Sequence, residues 1–250
     1  MTTKNVYFYS RDKQSSIHLE NILNKAPNSI LPQPDIVFGF QGGTAEQGKD
    51  VLRRMGCSMT RPIIGVSPNV RVYERTTGKG TENKYLKTLI SLICHCIKKY
   101  EVDIVLLAND IRKDGIDDRY LCSLIAAAIN QNERCFMTRE TLTSEEIIAL
   151  ISQFKLIVSS RYHSLIFAFS QGIPAIALSW SHKYRELFLL FDMAENVLEY
   201  TDINLDKLIS VLEHTLKMKQ KNNMLNKIKN IQLQINNIFV DLADKIIENQ

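Results

Sequence analysis

The stretch Ile157–Leu187, IVSSRYHSLIFAFSQGIPAIALSWSHKYREL, carries the reading of the fold. An apolar run ends in Ser159-Ser160-Arg161-Tyr162-His163. A helix-period segment follows, then Gly172-Ile173-Pro174, a second apolar run and Ser181-His182-Lys183. Two strands joined through a helix form a βαβ unit with parallel strands. The polar groups collect just past the ends of both strands. In an open α/β sheet, ligands bind there, outside the carboxyl ends of the strands. Two cations and two imidazoles at adjacent strand ends suit an anion.

The same alternation extends outward. Strands are expected at Val6–Tyr9, Ile36–Phe40, Ile63–Ser67, Ile104–Ala108, Ile157–Ser159 and Ala175–Leu178, with a weaker run at Arg134–Met137. Continuous apolar runs of this length suit strands buried on both faces. Helices are expected at Ser15–Asn24, Asn83–Tyr100, Asp118–Gln131, Ser144–Phe154, Tyr162–Gln171 and His182–Phe191. Thr143-Ser144-Glu145-Glu146 supplies a cap hydroxyl followed by first-turn carboxylates. Gly172 with Pro174 is a helix stop. The fold class is therefore α/β: a Rossmann-like, doubly wound parallel sheet with helices on both faces. From about Asp202 the texture changes to one long helical pattern rich in lysine, asparagine and leucine. It reads as a helix pair or a helix packed back over the sheet. The expected organisation is a Rossmann-like domain over residues 1–200 and a C-terminal helical extension over 201–250.

Composition narrows the function classes. Apolar residues make up 45% of the 250, enough for a sizeable core. The formal net charge of +4 is spread along the chain without the basic stripe of a nucleic-acid binder. Five cysteines without regular spacing read as reduced thiols of a cytoplasmic protein. Cys94-His95-Cys96 occupies successive helix positions that point apart, which makes a poor metal clamp, so no metal is expected. No window approaches the roughly 18 apolar residues of a membrane span.

The candidate site residues follow from position. Ser159, Ser160 and the first N–H groups of the helix after them form an anion site. Arg161 offers a two-pronged fork for a carboxylate or phosphate. His163 is a hydrogen-bond donor and an acid or base near neutral pH. Lys183 stands in a helix first turn, where a cation opposes the macrodipole unless it meets an anion. His182 is a second acid/base or a plain helix-start residue. Trp180 either walls the pocket or packs in the core. Arg11, after the first strand, is a second anion grip, with Asp12 capping the helix or orienting it. Asp117-Asp118 reads as a helix cap rather than a metal pair. Gln41-Gly42-Gly43-Thr44 lacks phosphate-loop spacing and reads as a turn. The loop Tyr73–Asn83 reads either as a ligand-closing segment or as a plain surface loop.

At these residues the chain resembles the polysaccharide pyruvyl transferase family. The likeness rests on Ser160-Arg161-x-His163, Gly172-x-Pro174 and Trp180-Ser181-His182-Lys183-Tyr184. Upstream it rests on Arg11-Asp12-x-x-Ser15, Pro34-Asp35, Ile64-Gly65-Val66-Ser67 and Asp117-Asp118. The resemblance implies transfer of pyruvate from phosphoenolpyruvate to two hydroxyls of a saccharide or lipid-linked saccharide, with no further cofactor. It implies a GT-B enzyme of which this chain is the C-terminal, donor-binding half. The acceptor-binding half would then lie on a separate N-terminal-domain chain or be missing. Carried over, Arg161 and His163 bind the donor and His163 is the proton donor. Ser160, Lys183, His182 and Arg11 are supporting substrate-binding residues. Where relatives tend to have His before the D-D loop, this chain has Asn109. Two alternatives stand beside this reading: a GT-B nucleotide-sugar glycosyltransferase domain, and a non-catalytic fragment that binds a phosphorylated metabolite.

Overall fold

The computed structural model describes residues 7–26, 29–129, 133–218 and 221–248. In chain order the described helices are α1 (Lys13–Ile22), α2 (Ala45–Arg54), α3 (Val70–Arg75), α4 (Lys84–Tyr100), α5 (Asp118–Ile129), α6 (Ser144–Ile151), α7 (Tyr162–Ser170), α8 (Lys183–Leu189), α9 (Leu205–Lys217) and α10 (Lys221–Glu248). The strands are β1 (Ile63–Ser67), β2 (Asp103–Leu106), β3 (Cys135–Met137), β4 (Leu156–Ser159), β5 (Ala175–Ser179) and β6 (Val197–Glu199). Of the expected elements, Val6, Asn130, Gln131, Lys219, Gln220, Asn249 and Gln250 lie outside the described residues.

The chain divides into two units, one of Met1–Gln41 with Asn226–Gln250 and one of Gly42–Leu225. This division differs from the expected boundary after residue 200. The long helical pattern is two helices, and α9 buries Leu208 and Leu212 in the same apolar core as the strands, so it belongs with the sheet. In the first unit, Asp12 caps α1 by accepting from the Ser15 N–H at 2.8 Å. The strand expected at Ile36–Phe40 is instead a 3-10 turn over Ile36–Gly39. Asp35 accepts from the Val37 N–H at 3.1 Å, and this local bond holds the backbone in a turn. No strand forms over residues 7–9; the one pairing nearby is a parallel bridge between Ser10 and Pro32. Within α10, Ile228, Ile231 and Ile235 are buried along one stripe.

The second unit is a six-stranded sheet in the order β3-β2-β1-β4-β5-β6, with every pairing parallel. The chain winds outward from β1 through β2 to β3, then returns to lay β4 on the other side of β1. That reversal is the topological switch point, and it opens a crevice at the carboxyl ends of β1 and β4. Their register sets Ser67 beside Ser159 at the mouth of that crevice.

Side chains alternate across the sheet. Ile64, Val66, Ile104, Leu106, Leu156, Val158, Ile176 and Leu178 share one core with Leu86, Leu89 and Ile93 of α4, Ile125 of α5 and Leu212 of α9. The alternate positions include small residues, among them Gly65, Ser159, Ala175 and Ala177. A Cβ at Gly65 would lie 2.3 Å from the Phe154 ring, so only glycine fits there.

Three elements escaped the sequence reading. α2 opens on a capping box of Thr44 and Gln47, a signal present in the turn assigned to Gln41–Thr44. α3 and β6 are too short to show a period. The Tyr73–Asn83 segment is cross-braced. The Asn83 amide donates to the carbonyls of Tyr73, Thr76 and Gly78, and the Gly80 N–H donates to the Tyr73 hydroxyl at 2.9 Å.

The stop after α7 has a defined geometry. Gly172 takes φ +66°, its N–H donates to the Phe169 carbonyl, and the Ile173 N–H reaches the Ala168 carbonyl. This is a Schellman motif, which needs a left-handed residue at the Gly172 position. Gly172→Ala is expected to destabilise the protein by about 1–2 kcal/mol, read as a lowered midpoint in urea denaturation with an unchanged slope.

Candidate functional site

One carboxylate gathers the loops at the switch point. Asp118, the first residue of α5, is 0% exposed. It accepts from Arg161 Nε at 2.7 Å and Nη2 at 2.6 Å, and from the backbone N–H groups of Val70 (3.1 Å), Asp110 (2.9 Å) and Asn109 (3.3 Å). The loops after β1, β2 and β4 are thereby tied to one point. Burial pushes the Asp118 carboxyl above its ordinary value, and the Arg161 guanidinium and the backbone donors oppose that rise. The expected cap role fits the neighbour instead. Asp117 accepts from the Arg119 N–H at 2.9 Å and from the Arg119 guanidinium at 2.6 Å.

Arg161 therefore stands differently from the expectation. Its two-pronged edge is engaged with Asp118, and Nη2 also donates to Asp110 at 3.1 Å. The guanidinium thus lines the cavity in an orientation that is already set. The serines before it also turn inward. Ser159 Oγ accepts from the Arg161 N–H at 2.9 Å and donates to the Arg161 carbonyl. Ser160, expected to touch the ligand, is buried, and its hydroxyl pairs with the Tyr85 hydroxyl at 2.9 Å. A buried hydroxyl needs a partner, and Tyr85 supplies it from α4. The Ser160 carbonyl accepts from Asn69 Nδ2 at 2.8 Å and from the Tyr184 hydroxyl at 2.6 Å. Burial raises the pKa of both tyrosines, so these phenols remain protonated.

A cavity of about 350 Å³ opens beside this cluster, lined by Arg161, His163, Lys183, Trp180, Asp110 and Asn109 with their neighbours. His163 is exposed on its wall, with its ring 5.9 Å from Tyr162 in an edge contact. α7 begins here with no side-chain cap on its first N–H groups. Lys183 Nζ lies over the rings of Tyr162 (4.7 Å), Trp180 (5.4 Å) and Tyr184 (5.8 Å). Those negative ring faces hold the ammonium at the cavity. Trp180 both lines the cavity and packs against the core.

The structure thus brings Arg161, His163 and Lys183 to one cavity. His182 is exposed at the start of α8 and is not among the lining residues. Arg11 belongs to the other unit, where it pairs with Asp35 at 3.2 Å. Asn109 donates through Nδ2 to Ser164 Oγ at 3.1 Å, and that hydroxyl lies 3.2 Å from Ser67 Oγ. Sequence reasoning assigned no site role to Asn69 or Asp110, and placed Tyr184 only within the Trp180–Tyr184 element.

The polysaccharide pyruvyl transferase family matches residues 3–182. The chain belongs to that family. No curated protein matches it in sequence. Among solved structures, this pyruvyl transferase family member is similar to a putative UDP-N-acetylglucosamine 2-epimerase from Listeria monocytogenes, with TM-score 0.62 and 12% identity over 96% of this chain and 59% of that one. It is also similar to UDP-GlcNAc 2-epimerase from Neisseria meningitidis, with TM-score 0.58 and 13% identity over 96% of this chain and 60% of that one. The E. coli ADP-heptose LPS heptosyltransferase II gives TM-score 0.52 and 17% identity over 76% of this chain and 55% of that one. At these identities the likeness concerns the fold: an α/β, Rossmann-like sheet of the GT-B kind. The chain spans about three fifths of the length of either epimerase. No described helix is long and apolar enough to cross a membrane.

Two outcomes are expected from the carboxylates. Asp118→Ala leaves the Arg161 charge without its buried partner and should destabilise the protein by about 3–5 kcal/mol, measured by chemical denaturation. For Asp117, hydrogen bonding to Arg119 lowers the pKa from 3.8 to about 2. The folded state then binds fewer protons than the unfolded state between those values. Its contribution is complete above the unfolded value and is lost as pH falls toward about 2. Denaturation midpoints taken down a series from pH 5 should fall less steeply in Asp117→Asn than in the wild type.

Proposed function

We propose that this chain binds phosphoenolpyruvate and supplies the donor side of a transferase that builds a pyruvate ketal on a saccharide or lipid-linked saccharide. The observation that carries the reading is one cavity at the switch point whose wall joins Arg161, His163 and Lys183. Phosphoenolpyruvate is a compact anion bearing a phosphate and a carboxylate, and it needs fixed cations. Arg161 is pre-oriented by Asp118, Lys183 is held on its aromatic wall, and the uncapped start of α7 adds N–H donors.

The chemistry needs one acid. In the proposed reaction His163, as imidazolium, gives a proton to the methylene carbon, and the first acceptor oxygen bonds to C2. The bond from C2 to the phosphate oxygen then breaks, and the electron pair leaves with phosphate. The second acceptor oxygen bonds to C2 and closes the ketal. Of the two hydroxyl protons released, one restores His163 and one goes to the departing phosphate. Guanidinium and ammonium groups at the cavity ease that departure.

The acceptor surface is assigned to polypeptide beyond this chain, in keeping with the share of the epimerases' length that the chain spans. Five free cysteines support a reducing, cytoplasmic setting for the reaction.

Calorimetric titration of phosphoenolpyruvate tests the reading. The wild type should bind, and His163→Ala and Lys183→Ala should each weaken binding by roughly tenfold or more. Arg161→Ala should abolish it, with thermal melting run alongside because Asp118 loses its partner. Absence of binding by the wild type, or tighter binding of a UDP-sugar than of phosphoenolpyruvate, would overturn the proposal.

A further inference from the structure

Asp110, in the loop after β2, has one carboxylate oxygen held between two guanidinium groups. Its Oδ2 accepts from Arg161 Nη2 at 3.1 Å and from Arg112 Nη2 at 2.7 Å and Nε at 3.2 Å. Two arginines converging on one oxyanion is how proteins bind a carboxylate or phosphate. Here the bound anion is a side chain of the protein itself. Asp110 lines the same cavity as His163 and Lys183, and its side chain is 30% exposed. Both interactions hold it in the ionised form: hydrogen bonding to Arg112 and the charge of Arg161 lower its pKa.

Arg112 is built into position. Its N–H donates to Asp117 Oδ2 at 3.0 Å, and its carbonyl accepts from Arg119 Nη2 at 3.0 Å. The backbone is thus pinned on both sides. The hydrogen bonds that the guanidinium makes among the described residues go to Asp110 alone. The nearby charges of Glu74 and Asp118 also favour its cationic form. Arg112 is therefore a second guanidinium, one carboxylate away from Arg161, that sequence position did not single out.

We propose that Arg161 and Arg112 form an oxyanion subsite which Asp110 occupies in the empty protein, and that an incoming phosphate or carboxylate group displaces Asp110 from it. Arg112 stands behind Asp110 and does not itself line the cavity, so, resting on the reading that the cavity takes phosphoenolpyruvate, it joins the donor-binding residues only once Asp110 is displaced. The displacement makes Asp110 an internal counter-anion that limits affinity. Such a residue also returns as the product leaves. When phosphate departs, the two arginines regain a partner at once, so the cavity does not retain inorganic phosphate merely because its cations are bare.

The test titrates inorganic phosphate, pyruvate and phosphoenolpyruvate separately into the full chain and into Asp110→Asn, Arg112→Ala and Arg112→Lys. Removing the competing charge in Asp110→Asn should tighten oxyanion binding by about threefold to tenfold. Arg112→Ala should weaken it by roughly tenfold or more. Arg112→Lys should restore only part of that loss, because the charge remains without the fork. Whether phosphate or pyruvate responds identifies which donor group enters the subsite. Unchanged or weaker binding by Asp110→Asn, unchanged binding by Arg112→Ala, or no heat from phosphate and pyruvate in both the wild type and Asp110→Asn would each overturn the proposal. The donor reading fails separately. If phosphoenolpyruvate is indifferent to His163→Ala and Lys183→Ala while phosphate still responds to Asp110→Asn and Arg112→Ala, the subsite stands and the donor assignment falls.

Discussion

A carboxylate with no exposed surface must be matched by donors, and Asp118 organises the carboxyl end of the sheet for that reason. Its oxygens take the side of the Arg161 guanidinium from one loop and three backbone N–H groups, Val70 and the adjacent Asn109 and Asp110, from two others. Each loop leaves a different strand: β1, β2 and β4. Were the carboxylate absent, Arg161 would lose the partner that sets its orientation, and the three loops would lose their common anchor. The position of Asp118 at the start of α5 also points the helix N-terminus at this negative charge, which favours it further.

Around that anchor a second set of bonds acts on Ser160. Hydroxyls from Tyr85 of α4 and Tyr184 of α8 and the amide of Asn69 all reach this one residue. The strand-end loop is therefore held from both sides of the sheet before any ligand arrives. Preorganisation of this kind leaves cations already aimed when charge must be met, so little reorganisation is needed during reaction. The cavity combines Arg161, Lys183 and His163 with one carboxylate, Asp110. Under the proposed displacement, that opposing charge would favour release of a bound anion.

Much of the fold was legible in the sequence, because buried parallel strands must be apolar on both faces. Ile63–Ser67 and Ile157–Ser159 stand out as apolar runs, and both are central strands of the sheet. Ile36–Phe40 has the same appearance, yet it forms a turn, because an aspartate just before it offers the backbone a nearer partner than another strand. Hydrophobicity alone does not separate these cases; the capping residue does. α3 and β6 lie below the length at which periodicity carries information. In the site, Arg161, His163 and Lys183 were readable because they follow strand ends. Asp110 and Arg112 were not, because their role depends on which guanidinium groups lie across the loop from them.

The sequence by itself determined the α/β class, the placing of Arg161, His163 and Lys183 just past strand ends, and the resemblance to the pyruvyl transferase family, which the match over residues 3–182 shows. These depend on local chemistry: apolar runs, helix caps and polar residues at fixed offsets. Only the tertiary structure decided that the fork of Arg161 faces Asp118, that Ser160 turns inward to Tyr85, and that Asp110 lies between two arginines. Those outcomes are contacts between loops brought together by the winding of the sheet. A side chain's partner depends on that winding and not on its neighbours in the chain.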